Sequence, residues 1–191
     1  MTKNVDNTAK KSTQSPTGPA ESSALEPLLP TVIQFLDEME MGYDPPETFK
    51  SEDGADRFGI HSSILLDNGR YNVIISGNER KRFVMFCITS PTVVPRKKRL
   101  AVAEFITRVN YGLINGNLEM DFSDGEVGYK ISLSVTKSPV TTNLLHSPFM
   151  IGLINMDTYQ SFLESVVIGE CTPEEANEAS RKEEQPEAAK S

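Results

Sequence analysis

Between Arg99 and Leu133 the hydrophobic period changes once without a break, in RLAVAEFITRVNYGLINGNLEMDFSDGEVGYKISL. Val102, Phe105, Ile106, Val109 and Leu113 recur at three- and four-residue spacing, which is one buried stripe of a helix. Ala101, Glu104, Thr107 and Arg108 lie on or near the opposite face, and Gly112 and Gly116 mark the exit. Beyond them Leu118, Met120 and Phe122 alternate with Asn117, Glu119 and Asp121. After Ser123-Asp124-Gly125 the return strand alternates Val127, Tyr129, Ile131, Leu133 and Val135 with Glu126, Lys130, Ser132 and Ser134. A period of two with one apolar side is a strand with one dry and one wet face. A helix running straight into such a hairpin places the chain in the α+β class.

The flanks extend that pattern. Leu28, Leu29, Val32, Phe35, Leu36 and Met39 predict a helix of about three turns, started near Pro27 and Pro30 and stopped by Gly42. Residues 43–57 read as a polar loop whose acids lack the spacing of a calcium loop. Three strands follow. The first runs from about Phe58 to Asp67. Asp67-Asn68-Gly69 predicts a hairpin in which Asn-Gly supplies a type I′ turn. The second strand runs from Arg70 to Ser76. The third, Arg82 to Thr89, is apolar on both faces and is expected to be buried on both. Residues 139–169 predict further helix, a short turn followed by a longer segment after Ser147-Pro148. The expected fold is therefore a five-stranded antiparallel sheet with helices, in the order α-β-β-β-α-β-β-α.

Residues 1–24 have almost no large apolar side chains and are expected to be disordered, since they offer little to offset ordering entropy. Residues 170–191 are rich in glutamate and are expected to form a disordered acidic tail. One domain, 25–169, lies between them. The net charge of -8 argues against nonspecific nucleic-acid binding by the whole surface. Cys87 and Cys171 do not make a disulfide framework or a zinc site, which points to a reducing compartment. No apolar run reaches bilayer length and the N-terminus lacks a signal-peptide core. The expectation is a cytoplasmic chain with no membrane contact.

No catalytic, metal-binding or cofactor-binding set stands out. Cys87 lies in the doubly apolar strand and reads as a core filler. His61 has no second ligand at useful spacing. Asp121 and Glu126 face each other across the hairpin, but Asp124-Gly125 is ordinary turn chemistry. Asn110, one turn after Ile106, is expected to tie the helix end to the hairpin backbone. With Gly112, Gly116, Asp124 and Gly125 it forms a structural joint. The sharpest anomaly is basic: Arg80, Lys81 and Arg82 at the start of the third strand, and Arg96, Lys97, Lys98 and Arg99 at the start of the central helix. Positive charge there opposes the helix dipole. If the two clusters lie together, they make an anion- or partner-contact patch.

The element order and the stretch RVNYGLINGNLEMDFSDGEVGYK resemble the YbjN family, described as bacterial sensory transduction regulators. The likeness covers roughly residues 28–170 by element count. It is carried by Arg108, Asn110, Tyr111, Gly112, Gly116, Leu118, Glu119 and Asp121. Asp124, Gly125 and Glu126 in the turn add to it, as does Val94-Pro95 before the helix. Leu118 stands where a Phe is typical, and the RKKR run is unusually basic. The resemblance implies a fold similar to that of type III secretion chaperones, a non-enzymatic protein-binding role, and a homodimer as in several members of that structural class. It brings no catalytic residues. The leading reading is a protein-interaction module, chaperone-like or regulatory. The alternative is binding of nucleic acid or another polyanion through residues 80–82 and 96–99.

Overall fold

The computed structural model describes residues 25–52, 54–136 and 138–184. Residues 1–24, expected to be disordered, lie outside them, as do 185–191 of the acidic tail. The described elements run α1 (Leu28–Glu38), β1 (Glu47–Lys50), β2 (Asp56–Leu66), β3 (Gly69–Asn78) and β4 (Phe83–Thr89). A 3-10 turn (Arg96–Lys98) leads into α2 (Arg99–Asn110), β5 (Asn117–Met120), β6 (Val127–Ser134), α3 (Thr142–Ile168) and α4 (Pro173–Glu184). The strands form one antiparallel sheet in the order β1-β2-β3-β4-β6-β5. The class is α+β, but the sheet has six strands rather than five. The additional one, β1, lies in the stretch read as a loop and pairs Glu47↔Gly59 through Lys50↔Asp56. All four of its residues are exposed, so no burial alternation marked it.

All four described helices lie on or beyond one sheet face. The row Ile60, Ile75, Phe86 and Ile131 is buried across four strands beneath them. Phe35 of α1, Phe86 of β4 and Phe149 of α3 meet with ring centroids 5.3–6.1 Å apart, pinning both helices to β4. α3 rides close: a Cβ on Gly152 would sit 2.7 Å from Ile88 Cδ1. The tip of the β2–β3 hairpin is tied to α3 by Asp157, which accepts from Asn68 N–H and the Tyr71 hydroxyl at 3.0 and 2.8 Å. α1 has no side-chain cap of its own. Its first N–H groups, of Leu28 and Leu29, donate to the Glu79 carboxylate at 2.8–3.1 Å.

Four further expectations are corrected. Asp67 and Asn68 form the hairpin turn, with Leu66 paired to Gly69, and Asn68 does not take positive φ, so the turn is not type I′. α3 is not broken at Ser147-Pro148. It starts at Thr141, whose hydroxyl accepts from Leu144 N–H, and its buried stripe of Leu145, Phe149, Leu153 and Met156 runs past Pro148. The chain after residue 170 is not a featureless tail. Thr172 and Glu175 make a reciprocal capping box, and Ala176, Asn177 and Ser180 of α4 are buried where that helix packs on α2 and α3. Finally, β4 is covered on one side only. Val84, Phe86 and Ile88 are fully buried, whereas Phe83, Met85 and Cys87 face the other side of the sheet, which carries no described helix, and remain half-buried.

Candidate functional site

The α2–hairpin joint is built from backbone contacts. Asn110 Nδ2 donates to the Leu118 carbonyl and its Oδ1 accepts from Leu118 N–H, both at 2.9 Å. This pair of bonds continues the sheet's hydrogen bonding into the helix end. Gly116 holds φ +71, and a Cβ there would lie 2.6 Å from Tyr129 Cε1. Gly125 holds φ +92, with its would-be Cβ 2.2 Å from the Val94 carbonyl oxygen. Asp124 accepts from Glu126 N–H at 2.9 Å, closing the turn. Gly112 does not share this geometry. It is exposed, its φ is not positive, and a Cβ would meet nothing closer than 3.6 Å.

Arg99 is the unforeseen member of the joint. Its Nε donates to the Val94 carbonyl at 3.2 Å. Its Nη1 donates to those of Phe122 and Ser123 at 2.7 and 3.3 Å, and its Nη2 to that of Asp124 at 2.6 Å. The guanidinium thus grips the β5–β6 turn and is consumed by it. An arginine surrounded by other basic residues in sequence gives no sign of such a role.

The two basic clusters do not meet. Asn78↔Phe83 lies at one end of the β3–β4 pairing and Asn72↔Thr89 at the other. A seven-residue strand, about 20 Å long, therefore separates residues 80–82 from the segment that leads to residues 96–99. Arg82 is buried, with φ +52, and its Nη1 donates to the Glu26 carbonyl at 2.8 Å. Arg96, Lys97 and Lys98 form the 3-10 turn that precedes α2 rather than its first turn. A Cβ on Gly169 would lie 2.8 Å from Lys98 Nζ, so this ammonium sits at the C-terminal end of α3. The negative end of that helix dipole offsets the repulsion expected at the start of α2. Arg80, Lys81, Arg96 and Lys97 are exposed.

The acids and the cysteine on the uncovered face do not form a reaction centre. Asp121 accepts from Ser123 N–H at 2.7 Å, and hydrogen bonds from Ser123 hold its carboxyl below the usual range. Burial, then Glu119, pushes the Cys87 thiol up. His61 and Cys87 share a cross-strand row, but Ile74 stands between them, so about 10 Å separates their strands. Among the described residues no group of three or more His, Cys, Asp or Glu side chains is placed to hold a metal ion. No described helix is long and apolar enough to cross a membrane.

The edge of β6 offers different chemistry. β5 pairs only with Val127–Lys130, whereas β6 continues to Ser134. Ser90 N–H donates to the Val127 carbonyl and Val135 N–H to the Arg82 carbonyl, so the odd-numbered residues of β6 bond toward β4. By alternation, the N–H and C=O of Ser132 and Ser134 point out of the sheet, where no described strand receives them. Beside them opens a groove of about 570 Å³ between the Ile114–Asn117 loop and the first turns of α3. Its walls include Leu133, Leu144, Pro148, Ile151 and Ile114, the last 94% exposed. An unpaired strand edge beside apolar walls is the form that receives an extended peptide.

No family model matches the chain, and no curated protein matches it in sequence. Among solved structures, three chains match. The chain is similar to YbjN from E. coli. Identity is 17%, the TM-score is 0.49, and the likeness covers 73% of this chain and 91% of YbjN. The crystal structure of YbjN is that of a candidate transcription regulator.

Proposed function

We propose that the chain is a non-enzymatic protein-interaction module, chaperone-like or regulatory, that captures an extended segment of a partner along the free edge of β6. The outward backbone groups of Ser132 and Ser134, beside the Ile114–Ile151 groove, carry this reading. Main-chain pairing would supply affinity, and the groove would select apolar side chains at alternate positions. The sequence resemblance to a protein-binding family points the same way. The same edge could pair with that of a second copy, giving a homodimer. Polyanion binding by residues 80–82 and 96–99 acting together is not favoured, because β4 holds the clusters apart and Arg82 and Arg99 are engaged with carbonyls.

The test is affinity capture with mass spectrometry, comparing the full chain with Ser132→Pro and Ile114→Asp. Proline at 132 removes an outward N–H without breaking a bond to β4. Ile114→Asp charges an exposed wall. Both variants should stay folded and lose the captured partner. Retention of every partner by both would refute the reading. Light scattering at high concentration reads the homodimer, and a monomer mass there removes it.

A further inference from the structure

Three buried side-chain N–H donors lack a partner among the described residues at one corner of the sheet: Arg57 Nε, Asn78 Nδ2 and Arg82 Nε. The corner is local, since Arg57 pairs directly with Asn78 across β2 and β3, and Arg82 ends the turn that follows Asn78. Asn78 is fully buried and Arg82 is 9% exposed. Native chains seldom leave such groups without an acceptor.

Arg57 and Arg82 line a groove of about 790 Å³ beside the start of α1, within the size range of small-molecule sites. Leu25, Leu29 and Phe58 give it an apolar wall. Its two acids are already engaged. Asp56 pairs with Lys50, while Glu79 caps α1 and lies 3.5 Å from Arg82. Arg57 is half-buried and has no ion pair or side-chain hydrogen bond among the described residues. Among the described residues, the groove therefore holds a guanidinium without a counter-ion next to an apolar surface.

We propose that this groove binds a small amphipathic carboxylate, its head on Arg57 beside Arg82 and its hydrocarbon tail along Leu25, Leu29 and Phe58. A planar carboxylate matches the guanidinium fork, and one negative charge matches one unpaired cation. A phosphate would bring a second charge toward Glu79. The site shares no lining residue with the β6 groove and stands independently of the docking proposed there.

The experiment is an NMR titration of the full chain with octanoate, octylamine and inorganic phosphate, following the amides of Leu28, Leu29 and Glu79. Octanoate should shift them saturably, and octylamine and phosphate should not. Arg57→Gln should weaken octanoate at least fivefold, and Arg57→Lys, which keeps the charge but not the fork, by less. Should Arg57→Gln fail to fold, Arg57→Lys decides alone. Unchanged affinity in the folded variants, absent octanoate shifts, or equal shifts with phosphate (an adventitious ion only) overturns the proposal. Tighter saturation by the peptide acetyl-Leu-Leu-Glu-Leu-amide reassigns the groove to a protein segment and also overturns it.

Discussion

Asn110 and Arg99 show how single side chains can stand in for secondary structure. Asn110→Ala leaves the Leu118 N–H and C=O without their bonds at the helix–hairpin corner. It should cost about 2 kcal/mol, read as a lower denaturant midpoint. Arg99→Lys keeps the charge but cannot reach the carbonyls around the turn together, and should cost about 1–2 kcal/mol in the same measurement. Cys87 should be slow to react. With its thiol pushed up by burial and Glu119, alkylation by iodoacetamide should be weak at pH 7 and rise only in alkaline solution, as mass spectrometry would record. Asn110's role was readable, because a polar residue beside a buried stripe must find partners. Arg99's was not, because its partners are carbonyls that come together only when the turn folds back on the start of α2.

β4 carries apolar side chains on both faces, yet its two sides are not equivalent. Phe86→Ala should cost about 3–5 kcal/mol, because it empties the aromatic contact among α1, β4 and α3. Met85→Ala on the half-buried face should cost under about 2 kcal/mol, and chemical denaturation of the pair distinguishes the faces. Periodicity gave the strand but not its cover, since the number of layers over a sheet is set by the whole chain. α4 escaped notice for a related reason: its buried stripe is Ala176, Asn177 and Ser180, small or polar residues that only a close helix pair can bury. Its start is pH-sensitive. Hydrogen bonds from the Thr172 backbone and hydroxyl hold the Glu175 carboxyl below its ordinary 4.5. A depressed carboxylate stabilises fully above that value, and its contribution is lost as pH falls through the lower folded one. Amide protection in α4 should therefore decline in acid, and Glu175→Gln should flatten the decline.

Across the molecule, the α+β class, the central helix and its hairpin were legible because their periods are undisturbed. The edge strand β1 and the separation of the basic clusters were not, because both depend on which strands become neighbours. Neighbour relations also decide when parts of the chain can form. α1 is the first described helix, but the carboxylate that caps it lies in the turn at Glu79, and its aromatic partners are Phe86 and Phe149. A helix of 11 residues is marginal on its own in water. During synthesis, α1 leaves the ribosome without its cap and without a surface to lie on, and waits for more than a hundred residues to follow, up to Phe149. The first described helix is thus among the last described elements to take its final shape.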